Sequence, residues 1–338
     1  MPRTLHVLII AQYFPPDMGG GATRAYNVAK GLALNKCKVT VITAFPHYPD
    51  GNIPKEYRWK PFKIEKAEGM IIIRTFVPPL ASRGLLRRAI LFLSFILSSL
   101  VGLLLVREEI HAIWATNPNI LSFFPAKFYS FLKRAPVILN VDDLWPEYMY
   151  MLEPIKEDSL IAKIAETLAA IVYSKSKAIT PISPGYIIVL HGKYRIPIEK
   201  IHVIRAGVDI TKFKAADKRQ KEKGKKIFRV VYTGSFSPAY DFDQVLKAAK
   251  LLEEYPDIQI ILQGKGELLP YIEKTKSKLK VRNVKIIAKV LKREEVAKLL
   301  SKADALLLPL RDFGKPYLGI SSKLYEYQAM GQPIICCA

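Results

Sequence analysis

A segment near the end of the chain, SSKLYEYQAMGQPII at 321–335, combines residue types that suit a phosphate site. Its pattern predicts an amphipathic helix that begins near Ser322 and ends at Gly331, with Pro333 leading into an apolar strand. The first turn of a helix presents free N–H groups and a partial positive charge, which together favour a diphosphate. Glu326 falls one turn inside this helix, where its carboxylate could accept hydrogen bonds from ribose hydroxyls. The alternative for Glu326 is a carboxylate on the helix surface.

The residues around the start of this helix add further phosphate-binding groups. Gly319, Ser321 and Ser322 offer backbone N–H groups and hydroxyls, and Lys323 adds a positive charge. A phosphate held by such groups needs no metal ion to balance its charge.

Three consecutive glycines follow the first apolar strand. Because Gly19, Gly20 and Gly21 carry no side chains, the backbone can approach a ligand closely, and the next helix directs N–H groups towards it. Arg24 could pair with a phosphate or be solvated on the helix surface. For the glycines, the alternative is a flexible turn between strand and helix.

Candidate acid–base residues follow two other strands. The segment DDLWPE at 142–147 comes after the apolar strand PVILNV, and Asp143 is our candidate for orienting or deprotonating a hydroxyl group. Glu147 is a second candidate. His47, in the loop AFPHYPDG after the second strand, could titrate near neutral pH. The alternatives are a turn or helix cap for Asp142 and Asp143, and simple exposure for His47.

Strands and helices that alternate along the whole chain must position these residues. Apolar runs predict first-half strands at 5–11, 38–43, 70–77, 111–116, 136–141 and 178–182, with helices at 23–34, 86–106, 119–133, 158–175 and 184–193. Second-half strands are predicted at 228–235, 258–263, 284–287, 305–308 and 333–337, with helices at 242–254, 267–279, 293–301 and 322–330. We therefore predict an α/β fold of two Rossmann-like parallel-sheet domains, residues 1–205 and 206–338, facing a cleft at the carboxyl ends of their strands.

The charge balance restricts the possible partners. The 338 residues include 52 Lys plus Arg against 30 Asp plus Glu, a formal net charge of +22 that is spread over both predicted domains. This favours anionic partners such as a membrane surface or a phosphorylated substrate, although part of it also fits heat adaptation. No RNA-binding signature or zinc-ligand spacing occurs, so we expect no nucleic-acid partner. Three cysteines without a disulfide framework, and the lack of a signal peptide before the first strand, indicate a cytoplasmic protein.

An uncharged apolar run, AILFLSFILSSLVGLLLV, occupies residues 89–106. Its length is at the lower limit for a membrane span. However, the strands predicted at 70–77 and 111–116 belong to one sheet, which a span between them would divide. Ser94, Ser98 and Gly102 lie four apart and would let another helix or a sheet approach closely.

We therefore favour a helix that is partly buried in the first domain and partly dipped into the membrane surface. Arg83, Arg87 and Arg88 would then face lipid phosphates. A wholly buried core helix is the main alternative.

Four segments, in this order, resemble glycosyltransferase family 4, whose members have the GT-B fold. They are LIIAQYFPPDMGGGATR from residue 8, AFPHYPDGNIPKEYR from residue 44, VDDLWPE at 141–147 and SSKLYEYQAMG at 321–331. The resemblance covers essentially the whole chain. It is greatest for the subgroup that builds O-antigen and capsular glycans, which includes fucosamine transferases.

This resemblance implies an enzyme that moves a sugar, with retention, from a UDP-linked or other nucleotide-diphospho donor to a lipid-linked or glycan acceptor. The enzyme would be peripheral at the inner face of the cell membrane and would use neither a metal nor a cofactor. The second domain would hold the donor, and the loop with Gly20, Gly21 and Arg24 would lie against the donor diphosphate or the acceptor. Asp143, with His47 and Glu147, would act on the acceptor side.

The second domain departs from the family pattern at two points. Relatives often carry a glutamate eight positions before the one at Glu326, where this chain has Leu318. Many relatives also carry an arginine and a lysine that clamp the diphosphate after a strand like FRVVYTGS, but residues 236–241 supply neither. The resemblance then leaves the backbone N–H groups of Gly234 and Ser235 to serve instead. Lys265, in the turn after the next strand, is the best remaining cation.

Relatives also continue beyond the strand with which this chain ends. We therefore expect a second domain that is truncated at its C-terminus, which leaves the activity of this chain in question. The alternative function is an inactive relative that acts as a nucleotide- or lipid-binding module. A sugar-nucleotide epimerase built from two Rossmann-like domains is a weaker alternative.

Overall fold

The structure is a computed structural model that describes residues 4–17, 19–48, 50–81, 84–117, 119–152, 156–214, 227–314 and 318–337. It divides into two compact units, Met1–Ala206 and Gly207–Ala338. The boundary lies one residue from the predicted one. The segment ADKRQKEKGKK at 216–226, whose charged composition predicts a linker, and the predicted lipid-facing Arg83 lie outside the described residues.

The first unit contains a seven-stranded sheet. Its strands are β1 His6–Ile10, β2 Lys38–Ala44, β3 Phe62–Ala67, β4 Met70–Thr75, β5 Ala112–Thr116, β6 Val137–Val141 and β7 Ala178–Pro181. Its helices are α1 Gly20–Leu34, α2 Leu85–Leu105, α3 Phe123–Lys133, α4 Glu147–Leu152, α5 Leu160–Lys175 and α6 Tyr186–Gly192. Short 3-10 helices lie at Lys55–Tyr57, Ile120–Ser122 and Ile198–Lys200.

The strand order in this sheet is β3-β4-β2-β1-β5-β6-β7, and all neighbours are parallel except β3 and β4. The central strand β1 consists of five buried residues, HVLII, as a parallel strand covered on both faces requires. The chain runs from β1 towards β2 and later returns to the other side of β1. The order of the strands therefore reverses between β1 and β5, which is where open α/β sheets bind ligands.

The second unit contains a five-stranded parallel sheet in the order β10-β9-β8-β11-β12. Its strands are β8 Phe228–Thr233, β9 Ile258–Gln263, β10 Val284–Ile287, β11 Ala305–Pro309 and β12 Ile334–Cys337. Its helices are α7 Phe242–Leu251, α8 Leu269–Leu279, α9 Arg293–Ser301 and α10 Ser322–Met330, with a 3-10 turn at Leu252–Glu254. Here the strand order reverses between β8 and β11. The loop after β11 leads directly to α10.

The two-sheet α/β prediction is confirmed, and most predicted elements agree with the structure to within a few residues. Three features differ. The edge strand β3 and the short helix α4 were not predicted. The resemblance to the family predicts that a strand leaves the first domain at 202–213, but this segment contains no strand, and an isolated bridge between Ile179 and Ile201 lies just before it. The sequence of β3, FKIEKA, alternates charged and apolar residues, which suits an edge strand but is weak evidence by itself.

The helix α2 packs one face on the sheet. Ser98 donates to the Thr75 hydroxyl (3.0 Å), and Gly102 lies so close to Ile42 that a Cβ atom there would come within 2.8 Å of its Cδ1. The small residues of the apolar run therefore let α2 approach β2 and β4. Among the described residues, no helix is long and apolar enough to cross a membrane.

Candidate active site

In the first unit, Asn117 fixes the turn that follows β6. Its Oδ1 accepts the backbone N–H groups of Asp142 (2.8 Å) and Asp143 (3.3 Å), and its Nδ2 donates to the Asp143 carbonyl oxygen (2.5 Å). Asn117 follows β5, the strand next to β6. A residue that follows β5 thus fixes the backbone of the two adjacent aspartates that follow β6.

Asp142 is a buried, structurally engaged carboxylate. It accepts from Asn140 Nδ2 (2.8 Å) and the Thr116 hydroxyl (3.2 Å), and its Oδ1 lies 3.7 Å from Arg24 Nε. Burial raises its pKa to about 6, against the opposing effects of the Arg24 charge and of the Asn140 and Thr116 hydrogen bonds. A turn residue was one predicted alternative for Asp142, and the structure adds an internal ion pair.

Asp143 differs from its neighbour. It is only partly buried, and its carboxylate has no hydrogen-bond partner among the described residues. Burial and the adjacent Asp142 charge raise its pKa to about 7. A carboxyl group with a pKa near neutrality and no internal partner is suited to exchange a proton with a bound hydroxyl group.

Arg24 lies inside the first unit, with 6% of its surface exposed. Its Nη1 donates to the Arg205 carbonyl oxygen (2.7 Å), and its Nη2 donates to the Ile204 carbonyl oxygen (2.6 Å). The alternative of a solvated helix-surface arginine is therefore wrong. A phosphate contact from Arg24 would have to replace these bonds or the ion pair with Asp142.

His47 is buried, so the alternative of simple exposure is wrong for this residue too. Its Nδ1 donates to the Phe45 carbonyl oxygen (2.8 Å), and its ring stacks on Tyr13, with ring centres 5.5 Å apart. Asp17 accepts the backbone N–H groups of His47 and Tyr48, both at 2.9 Å. Burial lowers the pKa of His47 and raises that of Asp17 to about 7, so the imidazole is held neutral.

Glu147 begins α4 and is engaged in a network within the first unit. Its Oε1 accepts from Lys193 Nζ (2.8 Å) and the Tyr194 hydroxyl (2.9 Å). Lys193 also donates to Glu166 (2.6 Å). These contacts favour a structural role for Glu147.

The glycine loop opens α1. Gly20 and Gly21 are the first two residues of this helix, and no side chain caps its N–H groups. Gly21 lines a small cavity with Gln12, Asn117 and Asn119, three residues that sequence reasoning missed. Asn119 Nδ2 donates to Gln12 Oε1 (2.7 Å), while Gln12 Nε2 is buried without a partner among the described residues. Both follow apolar strands at the carboxyl edge of the sheet, and that position was the available signal.

In the second unit, the loops after β8 and β9 are pressed together. Gly234 donates its N–H to the Gln263 carbonyl oxygen (2.9 Å), so the prediction that this N–H binds a phosphate is wrong. Gly264 has φ +153°, and a Cβ atom there would lie 1.7 Å from the Gly234 carbonyl oxygen. Only glycine therefore fits at residue 264.

Lys323, in the first turn of α10, lies over the contact between Gly234 and Gly264. Its Nζ donates to the Tyr240 hydroxyl (2.8 Å) and lies 4.5 Å from the centre of the Tyr240 ring. A Cβ atom at Gly234 would come within 2.7 Å of that Nζ. The lysine is thus held directly against the end of β8 by Tyr240, and its Nζ also lies 5.7 Å from the centre of the Tyr232 ring. Sequence reasoning did not identify Tyr240.

The start of α10 suits an anion. Its N-cap residue, Ser321, makes no side-chain capping bond, and the first turn contains no acidic residue. Ser322 and Gly319 are only partly buried. The first N–H groups of α10 and the Lys323 ammonium therefore lie at the reversal point of the second sheet.

Glu326 is mostly buried, with 14% of its side chain exposed, and it is paired rather than solvated. Its Oε1 lies 2.8 Å from Arg293 Nη1 at the start of α9, and the Arg293 guanidinium packs 4.8 Å from the ring centre of Phe213. The alternative of a solvated helix-surface carboxylate is therefore wrong. Among the described residues, Oε2 has no hydrogen-bond partner and could still accept from a ligand.

The two remaining predicted donor residues lie in the loops after β8 and β9. The Ser235 carbonyl oxygen accepts from the Tyr232 hydroxyl (2.6 Å), and the Lys265 carbonyl oxygen accepts from the Phe236 N–H (2.8 Å). The Lys265 side chain is exposed and has no ion pair among the described residues. In the same described part of the chain, no three His, Cys, Asp or Glu residues are grouped as metal ligands would be.

Comparison with known families defines the class of the protein as a glycosyltransferase. Residues 18–212 match the model described as Glycosyltransferase Family 4, and residues 213–338 match the model described as Glycosyl transferases group 1. Because the first match spans more than half of the chain, the protein belongs to glycosyltransferase family 4. No curated protein matches the chain significantly.

Solved structures show that the chain shares the GT-B fold. Sucrose-phosphate synthase from Thermosynechococcus elongatus matches with a TM-score of 0.73 and 14% identity, over 98% of this chain and 81% of that one. The catalytic domain of starch synthase IV from Arabidopsis thaliana matches with a TM-score of 0.69 and 14% identity, over 99% and 83%. Anabaena HepE in complex with UDP-glucose matches with a TM-score of 0.62 and 16% identity, over 98% and 80%.

Proposed function

We propose that this protein transfers a sugar from a nucleotide-diphospho donor, UDP-linked, to a lipid-linked or glycan acceptor, with retention of configuration. The observation that carries the proposal is the position of Lys323, which is held against Gly234 beside the uncapped start of α10. A diphosphate at this point would meet helix N–H groups and one ammonium. The Anabaena structure in complex with UDP-glucose supports the choice of nucleotide.

In the second unit, the donor would be bound by groups that balance its charge without a metal or a cofactor. The N–H groups of Ser322, Lys323 and Ser235 would bind the diphosphate, with Lys265 as a further cation, whereas the Gly234 N–H is already bonded to the Gln263 carbonyl oxygen. Glu326 Oε2 would accept from the ribose hydroxyls while Oε1 stays paired with Arg293. Charge that develops on the leaving phosphate would be stabilised by these fixed dipoles and ammonium groups.

In the first unit, Asp143 would orient the acceptor hydroxyl group. The sugar C1–phosphate oxygen bond breaks as a bond from the acceptor oxygen to C1 forms on the same face of the sugar. The acceptor proton passes to the departing phosphate oxygen, and the nucleoside diphosphate is released. No carboxylate suited to form a covalent sugar intermediate is evident among the described residues, which supports this same-face route.

We place the protein with the O-antigen and capsule subgroup that includes fucosamine transferases, peripheral at the inner, cytoplasmic face of the cell membrane. The net charge of +22 and the exposed outer face of α2, with Arg87 and Arg88 at its start, support this location. An acceptor carried by a membrane lipid would be within reach of such a protein.

A transfer assay tests this proposal. Purified protein is mixed with labelled UDP- or GDP-sugars and membrane extract in the presence of EDTA, and label in the lipid fraction is counted. We expect transfer from a UDP-sugar, and a rise in donor KM of about tenfold or more in Lys323→Met, because a charge-assisted contact is lost. Lys285→Met, which removes an exposed lysine on β10, serves as the matched control.

The alternative is a binding module that transfers nothing. Calorimetry with UDP separates the two functions. Binding of UDP without transfer from any donor would favour the module, whereas loss of activity on chelation would contradict the metal-free route. Absence of both binding and transfer would overturn the donor site itself.

A further inference from the structure

Three helices of the first unit carry apolar side chains on their outer faces as well as on their buried faces. Among the described residues, thirteen large apolar side chains of α2, α3 and α5 are exposed. They include Leu93 and Leu97 of α2, Phe128 and Phe131 of α3, and Ile161 and Ile164 of α5. Single exposed apolar residues are ordinary, but this many on neighbouring elements indicate an interaction surface.

The topology places these helices on one face of the sheet. The connections that contain α2, α3 and α5 run from β4 to β5, from β5 to β6 and from β6 to β7, which is one direction across the sheet. Because such crossovers are right-handed, their helices share a face, and α1, whose connection runs the other way, lies on the opposite face. The helices α2 and α3 also pack directly against each other.

The outer apolar residues are not needed for the core of the unit. The helix α2 packs Leu91 and Phe95 inwards, and α3 packs Phe123 and Tyr129 inwards, all of them fully buried or nearly so. A helix that is apolar all round is normally covered on all sides. The outer face of this layer therefore lacks a cover within the described part of the unit.

The charges on these helices indicate what kind of partner covers their apolar outer face. The segments α2, α3 and α5 contain six basic residues and one acidic residue, Glu166, which is itself paired with Lys193. Arg87 and Arg88 lie at the start of α2, Lys133 at the end of α3 and Lys175 at the end of α5. An apolar surface with cations at its margins is complementary to a bilayer that contains anionic lipid.

We propose that the outer faces of α2, α3 and α5 form one docking surface that lies on an anionic membrane. The apolar side chains enter the boundary between headgroups and acyl chains, to a depth of about 5–10 Å, and the basic side chains contact lipid phosphates. This inference rests on the proposed function in one respect only: the function gives the protein a reason to bind a membrane, where the surface would present the first unit to a lipid-linked acceptor. Binding to lipid itself requires no donor and no acceptor.

Vesicle flotation of the full chain, without nucleotide or acceptor, tests the surface. The vesicles are phosphatidylcholine alone or phosphatidylcholine with a quarter phosphatidylglycerol. Wild-type protein should float with the anionic vesicles, and the double variant Leu97→Ser/Phe131→Ser should bind at least about tenfold more weakly. The two side chains are 69% and 79% exposed, so their replacement should leave the thermal midpoint unchanged.

The matched control is Leu34→Ser/Leu251→Ser, which removes two leucines that are 74% and 76% exposed outside the surface. This control should float like the wild type. The proposal is overturned if the wild type does not float, if the test and control variants float equally, or if neutral vesicles bind as strongly as anionic ones.

Light scattering tests whether a second copy of the chain covers the surface instead. A change of oligomeric state in the Leu97→Ser/Phe131→Ser variant, with flotation unchanged, would identify that second copy as the cover. If the transfer assay fails while flotation is retained, the proposed transferase activity is rejected and the membrane-docking surface is still supported.

Discussion

The adjacent residues Asp142 and Asp143 carry carboxylates in different surroundings. Asp142 has an arginine and two side-chain donors, while the Asp143 carboxylate has none among the described residues. Asn117 fixes the backbone of both residues, and only the Asp142 side chain bonds to internal side chains among the described residues. One carboxylate therefore maintains the structure and the other is available for chemistry.

We expect Asp143→Asn to lower the rate of sugar transfer by about tenfold or more, since a charge-assisted hydrogen bond to the acceptor hydroxyl group is lost. The amide keeps the shape of the side chain but orients the hydroxyl group less strongly because it carries no charge. Initial rates at saturating donor, with the thermal midpoint as a check on folding, provide the measurement. A rate within about threefold of the wild type would remove Asp143 from the mechanism.

The pH dependence of stability should report the same carboxyl group. The folded-state pKa of Asp143, about 7, lies above the usual value of about 3.9, so the folded state holds the proton more tightly. Its contribution to stability is complete below about pH 4 and is lost as the pH rises through 7. The unfolding free energy of the wild type, compared with that of Asp143→Asn, should therefore fall by on the order of 4 kcal/mol as the pH rises from about 4 to above 7.

Urea titrations of the two proteins across this pH range provide the test. A constant difference, or one that grows with pH, would mean that the carboxyl group is not desolvated as the structure indicates. Because Asp142 is coupled to Asp143, a two-step change is also compatible with the expectation.

In the second unit, the Tyr240 hydroxyl positions Lys323 through the 2.8 Å hydrogen bond to its Nζ. Tyr240→Phe removes this bond and keeps the ring beneath the ammonium. We expect the dissociation constant for UDP to rise by about three- to tenfold, with little change in thermal midpoint. Tyr271→Phe, which removes a hydroxyl bonded to Asp243 elsewhere in this unit, is the control.

Calorimetry with UDP measures both variants. Equal affinities of Tyr240→Phe and wild type would show that the lysine needs no such support. In the background of Lys323→Met, the tyrosine substitution should have no further effect, because it acts through the lysine.

At element scale, the loops after β8 and β9 depend on glycine. Gly264→Ala would place a Cβ atom 1.7 Å from the Gly234 carbonyl oxygen and would also strain a backbone φ of +153°. We expect a loss of stability of about 2 kcal/mol or more, because neither backbone can move without disturbing its strand. Gly207→Ala, where nothing lies within 4 Å of the added methyl group, should stay near the wild type.

Thermal unfolding followed by circular dichroism compares the two alanine variants. If Gly264→Ala unfolded at the same temperature as the wild type, the close contact between the two loops would not be needed for stability. A loss of UDP affinity in a variant that remains folded would further indicate that these loops shape the donor site.

The elements themselves were largely predictable from the sequence. The bounds of β10, α9 and α10 match the predicted ranges 284–287, 293–301 and 322–330 because apolar periodicity and glycine or proline boundaries are local signals. The missed strand β3 depends on pairing with β4, which no local pattern specifies. The partners of the predicted site residues were missed for the same reason: Arg24 bonds to Ile204, 180 residues away, and Glu326 pairs with Arg293 on another helix. Sequence reasoning located the polar positions at the ends of strands, but it could not say which of them would bind to each other.

The net positive charge of the protein and the apolar docking surface on α2, α3 and α5 should both contribute to membrane binding. The net charge of +22 attracts an anionic surface over a distance set by the ionic strength, whereas the apolar contribution of α2, α3 and α5 does not depend on salt. Binding that uses both contributions should weaken with salt and yet persist. This behaviour distinguishes it from adsorption by charge alone.

We therefore expect flotation with phosphatidylglycerol-containing vesicles to decrease severalfold between about 0.05 and 0.5 M NaCl and then to level off above zero. Leu97→Ser/Phe131→Ser should lose the residual binding at high salt but keep part of the binding at low salt, because its charges are intact. Arg87→Gln/Lys127→Gln should show the opposite pattern, with weaker binding at low salt and an unchanged plateau. Complete release of the wild type at high salt would mean that its exposed leucines and phenylalanines do not enter the bilayer. Salt-independent binding would mean that the charge of this protein serves another partner.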